Sequence, residues 1–358
     1  MQSKAYAIII CGGSGTRLWP RSRSGHPKHL LKLDGGRTLV QETVDRLQLP
    51  LEQVVCVTES SHDDILREQL PDVPAENIVV EPGRRGTASA IALALRQLAG
   101  RIADADIVAI LWADSLIPER EEFKRTMQAW NAAAAETERI VSLGVRPTYP
   151  STGLGYINSG KRLMRSSGFD VFETVQFVEK PNESTAKAYA ESGSYFWNTG
   201  MFAARFGVLR SELERHMPDL MRILEEAIPD PATHDPDRLK PAYLKLPDET
   251  IDYGLFEKSD RLAVLPASFS WADVGSWADL HDVLEHDEHD NVFEGEYVDI
   301  DTKSCFVYSP DRLVATIGVE NLVIINTKDA ILICPKDRSQ DVKKVVAKLK
   351  ERGQTKFL

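Results

Sequence analysis

Residues 11 to 28, CGGSGTRLWPRSRSGHPK, place four glycines and the cations Arg17, Arg21, Arg23 and Lys28 directly after an apolar run, Ala5 to Ile10. Glycines leave backbone N–H groups free of side-chain bulk, so Gly12, Gly13 and Gly15 can approach phosphate oxygens closely, while Arg17 and Lys28 can neutralise the charge those oxygens carry. Arg17 offers a planar fork and Lys28 a movable point charge. Known glycine signatures with other chemistry do not fit. A dinucleotide fingerprint needs a third glycine where Leu18 stands, and a P-loop needs Gly-Lys followed by Ser or Thr. The Gly160-Lys161 step is followed by Arg162, and a nucleophile elbow would require glycine at Thr16. Phosphate binding and plain turn chemistry remain as the two readings of the loop.

The elements that must hold this loop are legible as periodicity. Short Val- and Ile-rich runs recur at Ala5 to Ile10, Gln53 to Val57, Asn77 to Val80, Ile107 to Trp112 and Ile140 to Val145, and helical stripes lie between them. Phe123, Met127, Trp130 and Ala134 form one stripe, and Ala88, Ile91, Ala92 and Leu95 another. Strand and helix in alternation predict an α/β fold with a mostly parallel sheet, whose ligands gather outside the carboxyl ends of the strands. Three loops fall there: the glycine loop, Glu81-Pro82-Gly83-Arg84-Arg85-Gly86-Thr87, and the loop carrying Asp114. Thr87 is placed to cap the helix that follows. Arg84 and Arg85 read equally well as ligand contacts or solvated charges.

The chain has 358 residues, acidic residues outnumber basic ones 54 to 43, and the net charge is −11. That balance argues against a nucleic-acid or anionic-membrane partner, so an anionic ligand must be captured by local cations. Cys11, Cys56, Cys305 and Cys334 form no CxxC pair, and no secretory signal or membrane-spanning apolar run is present, so a cytoplasmic location is expected. Cys11 borders the phosphate loop with no evident base and reads as a small buried residue. The histidines His281, His286 and His289 among acidic neighbours match no standard zinc spacing and read as a solvated acidic linker. That stretch sets the expected boundary between domains 1–284 and 285–358. Beyond it, closely spaced strand-like runs from Val292 to Cys334 predict a small β unit, followed by a helix with the stripe Val342, Val345, Val346 and Leu349 that docks within the chain or across a dimer.

Taken in order, GGSGTRLWPRSRSGHPKHLL, EPGRRGTASAIA, TGLGYI, FVEKP, FWNTGMF, TIDYGLFEKS and SWADVGSW resemble the bacterial mannose-1-phosphate guanylyltransferases, or GDP-mannose pyrophosphorylases, in their short form without an isomerase domain. The resemblance runs over nearly the whole chain. It implies a Rossmann-like nucleotidyltransferase domain, a small C-terminal left-handed β-helix, and one activity: mannose 1-phosphate attacks the α-phosphorus of GTP, with no covalent enzyme intermediate. Carried over by position, Gly12, Gly13, Gly15 and Thr16 line the nucleotide, and Arg17 and Lys28 meet the β and γ phosphates. Lys180 holds the sugar phosphate, with Glu179, the Gly155 backbone and Asn198 on the sugar hydroxyls. Glu81, Gly86 and Thr87 lie against base or ribose, and Asp114 with Asp273 binds one Mg²⁺. The family commonly has histidine where this chain has Ser115, asparagine at Gly86 and proline at Ser89. A homodimer is also implied. Another sugar phosphate or base, or a noncatalytic relative that binds sugar nucleotides, are the alternative functions; retention of every charged position favours an enzyme.

Overall fold

The computed structural model of the chain describes residues 3–13, 15–33, 36–233 and 235–358. Its apolar runs are strands: β1 (Ala5–Cys11), β2 (Val54–Glu59), β3 (Ile78–Glu81), β4 (Ile107–Trp112), β5 (Ile140–Val145), β6 (Tyr156–Ser166), β7 (Phe169–Val178), β8 (Tyr195–Arg205) and β9 (Leu262–Pro266). They form one sheet in the order β3-β2-β1-β4-β8-β5-β9-β7-β6. The half built from β3, β2, β1 and β4 is parallel, as is β5 on β9. Antiparallel pairings join β8 to β4 and β5, and β7 to β6 and β9. The sheet is therefore mixed: β8 runs against β4 and β5, and β6 and β7 are joined by the tight turn at Ser167 and Gly168, which reverses the chain without a crossover helix.

Helices cover the sheet with the stripes expected of them. The helix Gly86–Leu98 buries Ala88, Ile91, Ala92 and Leu95, and Arg120–Thr137 buries Phe123, Met127, Trp130 and Ala134. Removing each large apolar side chain from water contributes roughly 1.5–3 kcal/mol. Trp130 also has its indole N–H bonded to the Val141 carbonyl at 2.6 Å, so burial leaves no polar group unpaired there.

Four further strands, β10 (Val292–Ile300), β11 (Phe306–Ile317), β12 (Leu322–Asn326) and β13 (Ile331–Pro335), make a second sheet in that order. β10, β11 and β12 pair in parallel and β13 closes antiparallel. Successive parallel strands with only short connections are the coils of a β-helix. Ser309-Pro310-Asp311, a turn-forming sequence, lies inside β11 as a corner, where the partner register jumps from Gly295↔Ser309 to Tyr297↔Val314. The last helix, Val342–Glu351, packs Val342, Val345, Val346 and Leu349 against Leu18, Trp19, Trp277 and Phe306, so its stripe is satisfied within the chain.

By packing, the chain divides into two units that do not follow a single cut. The first comprises Met1–Gly12, Gln41–Ala113 and Ile117–Trp271; the second comprises Gly13–Val40, Asp114–Leu116 and Ala272–Leu358. The glycine loop and the Asp114 segment thus share a core with the C-terminal strands, through Leu18, Trp19, Leu31 and Leu33. A boundary at 284/285 lies inside the second unit. The histidine stretch is exposed from Glu285 to Asp290, as a solvated linker would be, and differs at His281, which is 1% exposed with its Nε2 2.9 Å from the Asp290 carbonyl; His286 Nε2 meets the His281 carbonyl at 2.7 Å. The two imidazoles thereby tie the turn together through its backbone carbonyls.

Candidate active site

In the second unit, four charged residues far apart in sequence converge. The Lys28 ammonium lies 2.9 Å from Asp114 Oδ2 and 3.5 Å from Asp273 Oδ1, and donates to the Asp273 carbonyl at 2.5 Å. Its side chain is only 7% exposed. Crowding by protein atoms, although Asp273 keeps half of its side-chain surface open, and the neighbouring Asp114 charge raise the Asp273 carboxyl above its ordinary range, against the pull of Lys28 and Arg17. Local backbone explains why Lys28 stands there. Gly15 has φ +57°, and a Cβ on it would sit 2.6 Å from Lys28 Cβ, so the loop closes over the lysine only without a side chain. The Ser22 hydroxyl donates to the Gly15 carbonyl and fixes that closure.

Arg17 and Thr16 lie on the short helical turn Thr16–Leu18. The Arg17 Nη1 donates to Gln340 Oε1 at 2.9 Å. Asp273 precedes Val274, fully buried at φ +33°, and Gly275, where a methyl would stand 3.7 Å from both Arg17 Nη1 and Asp273 Oδ2 and 3.1 Å from Asp279 Oδ2. A β-branched residue in the left-handed region is strained, and such strain persists where the surroundings over-determine it. Gly13 is open, with nothing within 4 Å of a Cβ placed on it.

The first unit holds two more clusters. At the end of β7, Lys180 adopts φ +46° and its ammonium lies 2.6 Å from Glu179 Oε1. Burial alone would lower the Lys180 ammonium, but Glu179, Asp252 and Tyr253 outweigh it and hold the pKa above its ordinary value. The Cα of Gly155 abuts Glu179; a methyl there would fall 2.5 Å from Glu179 Oε2. Asn198 donates its backbone N–H to the Gly155 carbonyl at 2.8 Å, and its side-chain amide lies 3.3 Å from Asp252 Oδ1. Burial, then the Glu179 charge, push Asp252 up to about 6. Two carboxylates, an ammonium and an amide around one glycine suit a ligand that is both hydroxylated and anionic.

The second cluster stands at the end of β3. Glu81 is 7% exposed and accepts from the Tyr243 hydroxyl. Burial pushes its carboxyl up to about 7, although the Tyr243 hydrogen bond pulls the other way. Gly86 opens the following helix at φ +74°, with the Glu249 carbonyl inside the space that a Cβ would need, so only glycine fits. Thr87 does not cap that helix. Its Oγ1 instead accepts from the Ile251 N–H at 2.9 Å, because the Glu249–Ile251 backbone lies across the helix start and supplies a donor. Arg84 pairs with Glu59 at 2.7 Å, and Arg85 donates to the Leu244 carbonyl at 2.9 Å. Cys11 is fully buried, as a small packing residue would be.

Comparison with known proteins supplies the family. The nucleotidyl transferase family model matches residues 6–290, and the MannoseP isomerase/GMP-like beta-helix domain model matches residues 295–349. A protein of Escherichia coli K12 named mannose-1-phosphate guanylyltransferase is 39% identical over 99% of this chain and 75% of its own length. A mannose-1-phosphate guanylyltransferase of Salmonella typhimurium is 39% identical over the same shares. The chain belongs to the mannose-1-phosphate guanylyltransferase family.

A solved structure from Thermus thermophilus, described as a mannose-1-phosphate geranyltransferase, superposes with a TM-score of 0.86 at 34% identity, covering 97% of this chain and 99% of that one. Membership of the guanylyltransferase family leaves four residues that sequence reasoning did not single out. Asp252 sits inside the motif TIDYGLFEKS and was legible as a carboxylate beside an aromatic; Tyr243, Asp279 and Gln340 carry no local signal, being identified only by what they touch. The donor set at Asp114 and Asp273 fits a hard divalent cation. Both carboxylates reach one positive charge, the Lys28 ammonium, and both offer oxygen ligands. No helix among the described residues is long and apolar enough to cross a membrane.

Proposed function

We infer that the chain transfers GMP from GTP to mannose 1-phosphate, giving GDP-mannose and pyrophosphate. The observation that carries this reading is the convergence of Arg17, Lys28, Asp114 and Asp273 in one packed unit, within a chain of the guanylyltransferase family. In the reaction an oxygen of the sugar phosphate forms a bond to the α-phosphorus of GTP while the bond from that phosphorus to the bridging oxygen breaks, and the electron pair leaves with pyrophosphate. Two anions must meet, so the barrier falls chiefly through charge neutralisation and alignment.

The residues divide that work. Arg17 and Lys28 neutralise the β and γ phosphates, where charge grows as pyrophosphate departs, and Gly12, Gly13, Gly15 and Thr16 present backbone to the nucleotide. Lys28 is shared between two carboxylates, which holds the ammonium aimed. Lys180 binds the attacking sugar phosphate, and Glu179, Asp252 and Asn198 accept from or donate to the sugar hydroxyls. Glu81 and the Gly86–Thr87 backbone meet the base or ribose. Asp114 and Asp273 would hold Mg²⁺, which supplies positive charge to the nucleotide phosphates when bound.

A homodimer and a cytoplasmic location belong to the same reading. The exposed apolar side chains Val298, Ile300, Leu313, Ile317, Ile331 and Ile333 support the first, and four free cysteines support the second. Pyrophosphate release measured over a matrix of nucleoside triphosphates and sugar 1-phosphates tests the assignment. GTP with mannose 1-phosphate should give the highest kcat/KM; a higher value with another pair reassigns base or sugar, and no release with any pair leaves a binding protein.

A further inference from the structure

We propose that Gln340 and Ser339, in the short helical turn Lys336–Asp341 beyond the last β-helix strand, are positioning residues for the phosphate side of the site: Gln340 orients Arg17 and Ser339 braces the turn that carries Asp273. The proposal rests on the reading of Arg17 as a phosphate ligand. An arginine on a three-residue turn has many rotamers of similar energy, and each lost on binding lowers affinity. The 2.9 Å bond from Arg17 Nη1 to Gln340 Oε1 selects one of them before the nucleotide arrives. An amide is suited to this role because it fixes direction without cancelling charge. The adjacent carboxylate, Asp341, is instead engaged by Lys344 at 2.7 Å and Arg338 at 2.8 Å, so its charge is directed away from Arg17.

Ser339 acts one residue earlier. It is 2% exposed, and its hydroxyl lies 3.2 Å from the Ser276 hydroxyl, itself 1% exposed. Ser276 caps the helix Trp277–His281 by accepting from the Asp279 N–H, and its hydroxyl lies 3.0 Å from Asp279 Oδ2. The strained Val274 and its neighbour Gly275 therefore lie between Asp273 on one side and a buried hydroxyl pair on the other. Gly275 in turn faces Arg17 Nη1. Two consecutive residues of the C-terminal turn thus touch both the arginine and the segment bearing the carboxylate.

Steady-state kinetics of Arg17→Ala, Gln340→Ala, Gln340→Glu and the double variant Arg17→Ala/Gln340→Ala test this. Loss of one hydrogen bond should raise KM for GTP roughly three- to tenfold in Gln340→Ala, with KM for mannose 1-phosphate and the melting temperature unchanged. Gln340→Glu keeps the acceptor but adds a charge that competes with phosphate, so it too should raise KM for GTP; a merely structural glutamine would tolerate it. In the Arg17→Ala background, Gln340→Ala should have no further effect. Unchanged KM for GTP in Gln340→Ala, wild-type behaviour of Gln340→Glu, or multiplying losses in the double variant would each overturn the proposal while Arg17→Ala remains impaired. If Arg17→Ala itself binds GTP normally, the functional reading of Arg17 fails first and the proposal with it.

Discussion

Replacing Glu81 by glutamine should make stability less dependent on pH, and the size of the effect follows from the carboxyl's surroundings. Burial raises the Glu81 pKa from 4.5 to about 7. In the native protein the group keeps its proton through a window in which the unfolded chain has already lost it. Native binds more protons than unfolded there, so unfolding free energy falls as pH rises from 4.5 to about 7 and stays low above it. Each pH unit of the window is worth about 1.4 kcal/mol, giving about 3 kcal/mol in all. Glutamine keeps an acceptor for the Tyr243 hydroxyl but never ionises. Urea unfolding of both proteins isolates the term, because other titrations cancel in the difference. The stability of Glu81→Gln relative to the parent should rise by about 2.5 kcal/mol between about pH 5 and about pH 8. A difference that stays flat within about 0.5 kcal/mol would show that burial does not hold the proton, and the reasoning would be refuted.

Three other outcomes are expected. Lys28→Ala and Asp273→Ala should each lower kcat by roughly 10²-fold or more while the fold persists, since the first removes positive charge where the reaction develops negative charge and the second removes a carboxylate proposed to hold the divalent cation; near-normal turnover would take that residue out of the site. Asp252→Asn should raise KM for mannose 1-phosphate about tenfold and leave KM for GTP alone. Because the Asp252 pKa is pushed up to about 6, the parent's KM for the sugar phosphate should also climb as pH falls through about 6, and a pH-independent KM would contradict the assignment. Gly15→Ala should abolish turnover, as φ +57° and a 2.6 Å approach to Lys28 Cβ leave no room for a methyl; retained activity would mean the loop rearranges freely.

Periodicity and turn chemistry are local properties, and they were legible. The five apolar runs are β1 to β5 to within a residue or two at their ends, and both helical stripes face the core. The glycine loop was also legible as bare backbone beside cations, because both are written into adjacent residues. Thr87 shows where that approach stops. By type and position it is a helix cap, yet its hydroxyl is taken by the Ile251 N–H, 164 residues away. His281 shows the same in another form: the acidic, histidine-rich stretch is exposed as its composition suggests, but its first histidine is buried, with its ring on the Asp290 carbonyl.

By itself the amino-acid order determined the α/β class, the run of strands, the small β unit after residue 290 and the residue types available for phosphate chemistry, since each depends on neighbours within a few positions. Tertiary structure alone decided that Lys28 stands between Asp114 and Asp273, that Asn198 meets Asp252, and that Gln340 reaches Arg17 across 323 residues of chain. Those pairings depend on how the backbone is led through space, and a charge or an amide carries no record in its own neighbourhood of the distant group it will meet.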